Sequence, residues 1–235
     1  MKNFSRIIVP LDVESCAAAL SLVGRLRNRN VLFKIGLQLF SAAGPDVVRR
    51  VVDSGEQVFL DLKLHDIPTT VALATREAAK LGVSLLTVHA SGGAGMMSEA
   101  AEAAVSAATS PTSRMRLLGV TVLTSLDTGD LQAIGISAAV VDHVSRLALL
   151  AKGAGLDGVV ASPHEIEPIR KCCGAGFLIV TPGIRPTGSP RDDQKRTMTP
   201  REATNQGADY LVIGRPITQA PNPAIAFDNI SREIG

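Results

Sequence analysis

Cysteine is scarce in this chain: only Cys16, Cys172 and Cys173 occur in 235 residues. An odd count with two adjacent members makes a poor disulfide framework, and the spacing suits no metal-ligand motif. A reducing compartment and three unreactive thiols are therefore expected. An excess of either charge is missing too. The chain carries 24 Lys and Arg against 22 Asp and Glu, a formal net charge of +2, with no basic tract. Nucleic-acid binding needs a surface that tracks phosphates, so it is not expected, and any bound anion should be small and locally gripped. No stretch approaches the ~20 uninterrupted apolar residues of a membrane span. The start, MKNFSRIIVPLD, meets Pro10 and Asp12 before a signal-like apolar core can form. The expectation is a soluble cytoplasmic protein. Linkers, low-complexity segments, long charge runs and residue-level repeats are likewise absent. With 46% hydrophobic residues the chain can bury one large core, and one domain over residues 1–235 is expected.

Eight short apolar runs are present: RIIVPLD, VLFKIG, QVFLDLKL, LLTVHA, RLLGVTVLTS, GVVAS, FLIVTPGI and YLVIGRPI. These read as strands, and segments such as ESCAAALSLVGRLRNR and GPDVVRRVVDSG between them carry apolar residues at helical spacing. Strands alternating with helices imply a parallel sheet. Eight such units in about 250 residues match a closed (β/α)8 TIM barrel, with a doubly wound sheet as the alternative. In a barrel the active site lies where strands end and βα loops begin. The polar residues at those ends are Asp12, Lys34, Asp61 with Lys63, His89, Thr124 with Ser125, Ser162, Arg185, and Gly214 with Arg215.

FLDLKLHDIPTTV, residues 59–71, places charge inside an apolar run. Strand side chains alternate faces, so Asp61 and Lys63 share the face of Phe59, and Leu60, Leu62 and Leu64 take the other. Lys34 is a second lysine embedded in an apolar strand, and Asp12 closes the first strand, so the four can form an alternating Lys/Asp cluster. Any one of these residues alone reads as an ordinary interior ion pair. As a set they read as chemistry, because burying several ions costs several kcal/mol each and apolar packing would avoid that cost. Asp66 lies just beyond the strand, where it either caps the next helix or extends to a neighbouring subunit.

A second polar group lies near the end of the chain, where GIRP and IGRP bring Arg185 and Arg215 to the seventh and eighth strand ends. Barrels of this class often hold phosphate there. Gly214 exposes a backbone N–H, and the Arg215 guanidinium can engage phosphate oxygens in pairs; surface ion pairing is the competing reading. The segment TPGIRPTGSPRDDQKRTMTP, residues 181–200, is too long for a plain connection. It reads as a lid carrying Gln194 towards the anion, with a simple surface loop as the alternative. GAGMMS at 93–98 lacks the final glycine of GxGxxG, which argues against a dinucleotide site. The four histidines are scattered and PHEIEP lacks the second His of HExxH, so no catalytic metal of the zinc-protease kind is expected.

DLKLHDIPTTV closely resembles the DxKxxDIPxTV signature of the orotidine 5'-monophosphate decarboxylase family. Supporting segments follow in family order: PLD with Asp12, FKIG with Lys34, TVHASGG at 87–93, VTVLTS with Thr124 and Ser125, TPGIRP with Arg185, DDQKR with Gln194, and VIGRPIT with Arg215. The resemblance implies decarboxylation of orotidine 5'-monophosphate to uridine 5'-monophosphate without metal or cofactor, the last step of pyrimidine synthesis. It assigns Lys63 as proton donor to C6 within a network of Lys34, Asp61, Lys63 and Asp66. Asp12 and Lys34 are implied to hold ribose hydroxyls, and Thr124 and Ser125 to border the ribose and pyrimidine. Arg185, Gln194, Gly214 and Arg215 are implied to hold the phosphate. The family is dimeric, so Asp66, Ile67 and Thr70 are implied to reach the partner's site. Two rivals remain: a Mg2+-dependent sugar-phosphate decarboxylase or aldolase of the same superfamily, and a nucleotide-binding barrel without turnover.

Overall fold

The computed structural model describes residues 5–110, 114–186 and 197–234. Eight parallel strands close into a barrel in sequence order: β1 (Ile7–Pro10), β2 (Leu32–Gly36), β3 (Gln57–Leu64), β4 (Leu85–His89), β5 (Arg116–Val120), β6 (Gly158–Val160), β7 (Leu178–Thr181) and β8 (Tyr210–Val212). β8 returns to pair with β1, Ile7 opposite Leu211 and Ile8 opposite Val212, which leaves the sheet without an edge. This is the closed (β/α)8 barrel expected from the alternating units, and the open doubly wound sheet is excluded.

Among the described residues, ten α-helices surround the strands: α1 (Cys16–Arg25), α2 (Leu37–Asp53), α3 (Pro68–Lys80), α4 (Gly93–Ser106), α5 (Thr128–Ala133), α6 (Val140–Gly153), α7 (Ile166–Cys173), α8 (Pro200–Gln206), α9 (Arg215–Thr218) and α10 (Pro223–Ile234). Local chemistry sets several starts. Ser15 caps α1 by accepting the Ala18 N–H at 3.2 Å, and Thr199 with Glu202 forms a capping box on α8. The segment read as a helix from Gly44 is the second part of a longer element: α2 begins at Leu37 and is kinked at Gly44, whose φ of 62° only glycine adopts cheaply, with Pro45 behind it.

Two cores result from strand alternation. Inward-facing Ile8, Leu32, Phe59, Leu85, Leu118 and Val180 fill the barrel, joined by Val160 and Val212. The opposite faces, including Val9, Phe33, Leu60, Leu86, Leu117, Val159, Ile179 and Leu211, pack on the helices. The barrel interior is thus plugged with apolar side chains, and only its C-terminal mouth is left to hold charge. Cys173 is the buried thiol: burial and the adjacent Cys172 push it up to about 12, so it stays protonated and inert at neutral pH. Among the described residues, no helix is long and apolar enough to cross a membrane.

Candidate active site

The charged set expected from the sequence assembles at the C-terminal mouth. Asp61, only 8% exposed, is the hub. Its Oδ2 receives the Lys63 ammonium at 2.7 Å and lies 3.7 Å from the Lys34 ammonium, which in turn sits 3.4 Å from Oδ1 of Asp12. Cation and anion therefore alternate along Asp12, Lys34, Asp61 and Lys63, and no member is a bare buried charge. Lys34 is the middle residue of β2, aimed inward with Gly36 beside it; a Cβ at Gly36 would stand 2.9 Å from Lys34 Nζ, so the glycine leaves room for the ammonium. Asp12 is exposed and lies two residues past the end of β1, so it does not close the strand itself.

Lys63 reaches Asp61 by a route that simple alternation does not describe. Leu60 pairs with Leu86 and Leu64 with Val88, so residues 61–63 bulge opposite the single residue Thr87. Lys63 takes up the extra length with a φ of 52°, the left-handed region, which costs a non-glycine residue about 1–2 kcal/mol. Its N–H, turned out of the ladder, donates to Thr87 Oγ1 at 2.9 Å, and the same hydroxyl donates to Asp61 Oδ1 at 3.0 Å. Thr87 is fully buried. Sequence reasoning does not single it out; the signal that could have is a hydroxyl within the buried run Leu85–Val88, otherwise apolar.

These charges open on a pocket of about 190 Å³ lined by Lys34, Asp61, Lys63, Thr124 and Pro182, with a floor of Phe59, Val120, Val160 and Val212. One rim is charged and the base is dry, which strengthens electrostatic interactions inside. Ser125 follows Thr124 and is exposed. Arg185, Gly214 and Arg215 are not part of that lining. Arg185 is buried beyond β7, its backbone N–H donating to the Met198 carbonyl at 3.0 Å and its side chain to the Ile184 carbonyl at 3.0 Å. Gly214 precedes α9, and Arg215 is the first residue of that short helix, at the β8 end of the mouth. A Cβ on Gly214 would come within 3.1 Å of Pro10 Cγ, so the glycine permits the close approach of this loop to β1. Gln194, and with it residues 187–196 of the segment read as a lid, lie outside the described residues.

Asp66 does not cap α3. Its carboxylate accepts the N–H of the next residue, Ile67, at 2.6 Å, and Ile67 itself occupies the N-cap position ahead of Pro68. Asp66 and Thr70 are exposed, and Ile67 is 67% exposed, a large apolar side chain standing in water beside a charged mouth.

His89, at the end of β4, stacks on His65 with ring centroids 5.4 Å apart. Burial, then the nearby His65 and Lys63, hold its pKa below the ordinary 6.5, against the opposing pull of Asp61. A histidine with a depressed folded pKa favours the folded state fully above its unfolded value, and that contribution is lost as pH falls below about 6.5. Chemical denaturation followed across pH 5 to 7.5 should therefore show stability rising with pH, and His89→Gln should flatten that rise. An unchanged slope in the variant would remove His89 from this role.

Comparison with known proteins places the chain in a family. A family model described as orotidine 5'-phosphate decarboxylase / HUMPS family matches residues 5–230. The chain belongs to that family. It is 54% identical to the orotidine 5'-phosphate decarboxylase of Moorella thermoacetica over 232 residues, covering 97% of this chain and 92% of the relative. It is 50% identical to that of Nitrosospira multiformis, covering 99% and 95%. A crystal structure of orotidine 5'-phosphate decarboxylase from Lactobacillus acidophilus superposes with a TM-score of 0.88 at 36% identity, over 97% of this chain and 98% of that one.

Proposed function

We propose that this chain decarboxylates orotidine 5'-monophosphate to uridine 5'-monophosphate and CO2 without a metal or cofactor, as the final step of de novo uridine 5'-monophosphate synthesis in the cytoplasm. The observation that carries the reading is the Lys63 ammonium, held 2.7 Å from a nearly buried Asp61 at the rim of an apolar pocket. Loss of CO2 from C6 leaves an electron pair in an sp2 orbital outside the ring π-system, where no delocalising sink exists. Enzymes facing such slow reactions supply up to ~23 kcal/mol of barrier lowering. A preorganised ammonium beside C6 stabilises the negative charge as it appears and then delivers the proton that replaces CO2.

Asp61 holds the Lys63 side chain in place. A substrate carboxylate brought to ~4 Å from Asp61 would be repelled by ~4 kcal/mol at an effective dielectric of 20, a strain released as CO2 departs. Metal independence is supported by the occupancy of that carboxylate: both lysine ammoniums already lie within 2.7 and 3.7 Å of the same oxygen. Lys34 and Asp12 hold the ribose hydroxyls, and Thr124 and Ser125 border the ribose and base. Arg185, Gln194, Gly214 and Arg215 take the phosphate. The test is the fall in ultraviolet absorbance on adding orotidine 5'-monophosphate, with and without a chelator. Full activity in chelator is expected, and dependence on Mg2+ would overturn the metal-free reading.

The single barrel pairs with a second copy, and Asp66, Ile67 and Thr70 enter the neighbouring site. Support comes from the exposed apolar pair of Ile67 and, on the same helical segment, Leu73, which is 53% exposed. Each buried isoleucine contributes about 1.5–3 kcal/mol, counted twice in a twofold interface, so Ile67→Glu should weaken association at least ~100-fold. Sedimentation across a concentration series reads this directly, and an unchanged dimer would displace Ile67 from the interface.

A further inference from the structure

We infer that Thr87 is a positioning residue for the proton donor, an inference that rests on the reaction proposed above. Its hydroxyl, with one hydrogen to give and two lone pairs to receive, closes a ring of contacts. The Lys63 N–H donates to Thr87 Oγ1, Thr87 donates to Asp61 Oδ1, and Asp61 Oδ2 receives the Lys63 ammonium. Thr87 therefore acts on Lys63 at both ends, on the backbone that launches the side chain and on the carboxylate that anchors its tip.

The ring explains how a strained backbone persists. Residues 61–63 face one residue of β4, so the ladder has no carbonyl partner in register for the Lys63 N–H, and that N–H is half-buried. Left unpaired it would add an unsatisfied donor to a left-handed lysine. Thr87 supplies the acceptor from a side chain that is fully buried and, being β-branched, stiff about χ1. A valine there would match the shape and keep the inward packing, but it would lose both hydrogen bonds at once.

Proton transfer to C6 depends on where Nζ sits, and a displacement of ~1 Å in such a geometry costs ~100-fold in rate. Binding relies instead on ribose and phosphate contacts that Thr87 does not touch. Thr87→Val should therefore lower kcat by ~10–100-fold with KM, and the Kd of uridine 5'-monophosphate, close to wild type. Thr87→Ser keeps the hydroxyl and should restore most of the loss. Thr87→Ala removes the hydroxyl without demanding space and should repeat the valine result.

Crystal structures of wild type and Thr87→Val give a readout independent of turnover: Lys63 should leave its left-handed conformation or its contact with Asp61 in the variant. A variant that keeps both, or a serine variant as impaired as valine, or a rise in KM at constant kcat, overturns the positioning role. Absence of turnover in the wild-type protein overturns the proposed reaction instead, and the crystallographic arm still decides whether Thr87 holds Lys63.

Discussion

Lys63→Ala should reduce turnover of orotidine 5'-monophosphate by ~10⁴-fold or more, because two contributions vanish together. A positioned general acid is worth ~10²–10⁴ in rate, and a preorganised charge aimed at a developing anion adds ~10²–10³. Neither is replaced by water, since the pocket floor of Phe59, Val120, Val160 and Val212 is apolar. The fold should survive, because Lys63 lies in a bulge at the rim and outside both apolar cores. Removing it leaves Asp61 with Lys34 at 3.7 Å and the Thr87 hydroxyl, so the carboxylate is not orphaned. Steady-state kinetics with matched circular dichroism and thermal melts check both halves. A folded Lys63→Ala protein with near-normal kcat would contradict the proton-donor role.

The same variant separates Lys63 from Asp61. Asp61→Asn should also be severe, but for a different reason: two ammoniums, Lys34 and Lys63, then face each other across a neutral amide. Like charges left without their shared anion in a half-buried site repel and must move or lose protons. The lysine loss is chemical, whereas the aspartate loss is first geometric.

What the sequence could reveal followed the range of the physics involved. Strand alternation is local, so the shared inward face of Phe59 and Asp61 was readable from spacing alone, and so was the eight-unit alternation that closes the barrel, but the place of Lys63 beside Asp61 depends on a break in that alternation. The bulge at residues 61–63 was not readable. It arises from the register of β3 against β4 and from a hydroxyl on Thr87, 24 positions away from its Lys63 partner. Lysine carries none of the turn chemistry that announces a positive φ in glycine or asparagine.

Of the two alternatives for Asp66, the helix cap is excluded for a related reason. Proline at the first position of α3 suits an entry through extended Ile67, and the Asp66 carboxylate then turns back on the Ile67 N–H. Strand ends shifted where the barrel sets length: β8 stops at Val212, and Arg215, read as terminating that strand, opens a helix instead. Its residue type and place in the chain were legible, but its secondary structure was not.

Arg215→Ala should lower kcat/KM for orotidine 5'-monophosphate by ~10²–10³, since truncating one member of a hydrogen-bonded charge pair costs ~2–5 kcal/mol and each 1.4 kcal/mol is tenfold. Arg215 lies at the β8 end of the mouth, away from the lining that holds Lys63, so the loss cannot act through the proton donor directly. On the proposed reading, binding energy spent on the phosphate would order the reacting end, and part of it would be expressed in the chemical step. This gives a discriminating control. The nucleoside orotidine has no phosphate, so its slow turnover should be the same in wild type and Arg215→Ala, and the ratio of the two substrates should collapse in the variant. Added guanidinium should partly restore turnover of the nucleotide, because the ion can occupy the vacated place and pair with phosphate oxygens. An Arg215→Ala enzyme with unchanged preference for the nucleotide would place the phosphate elsewhere at the mouth, with buried Arg185 the next residue to test.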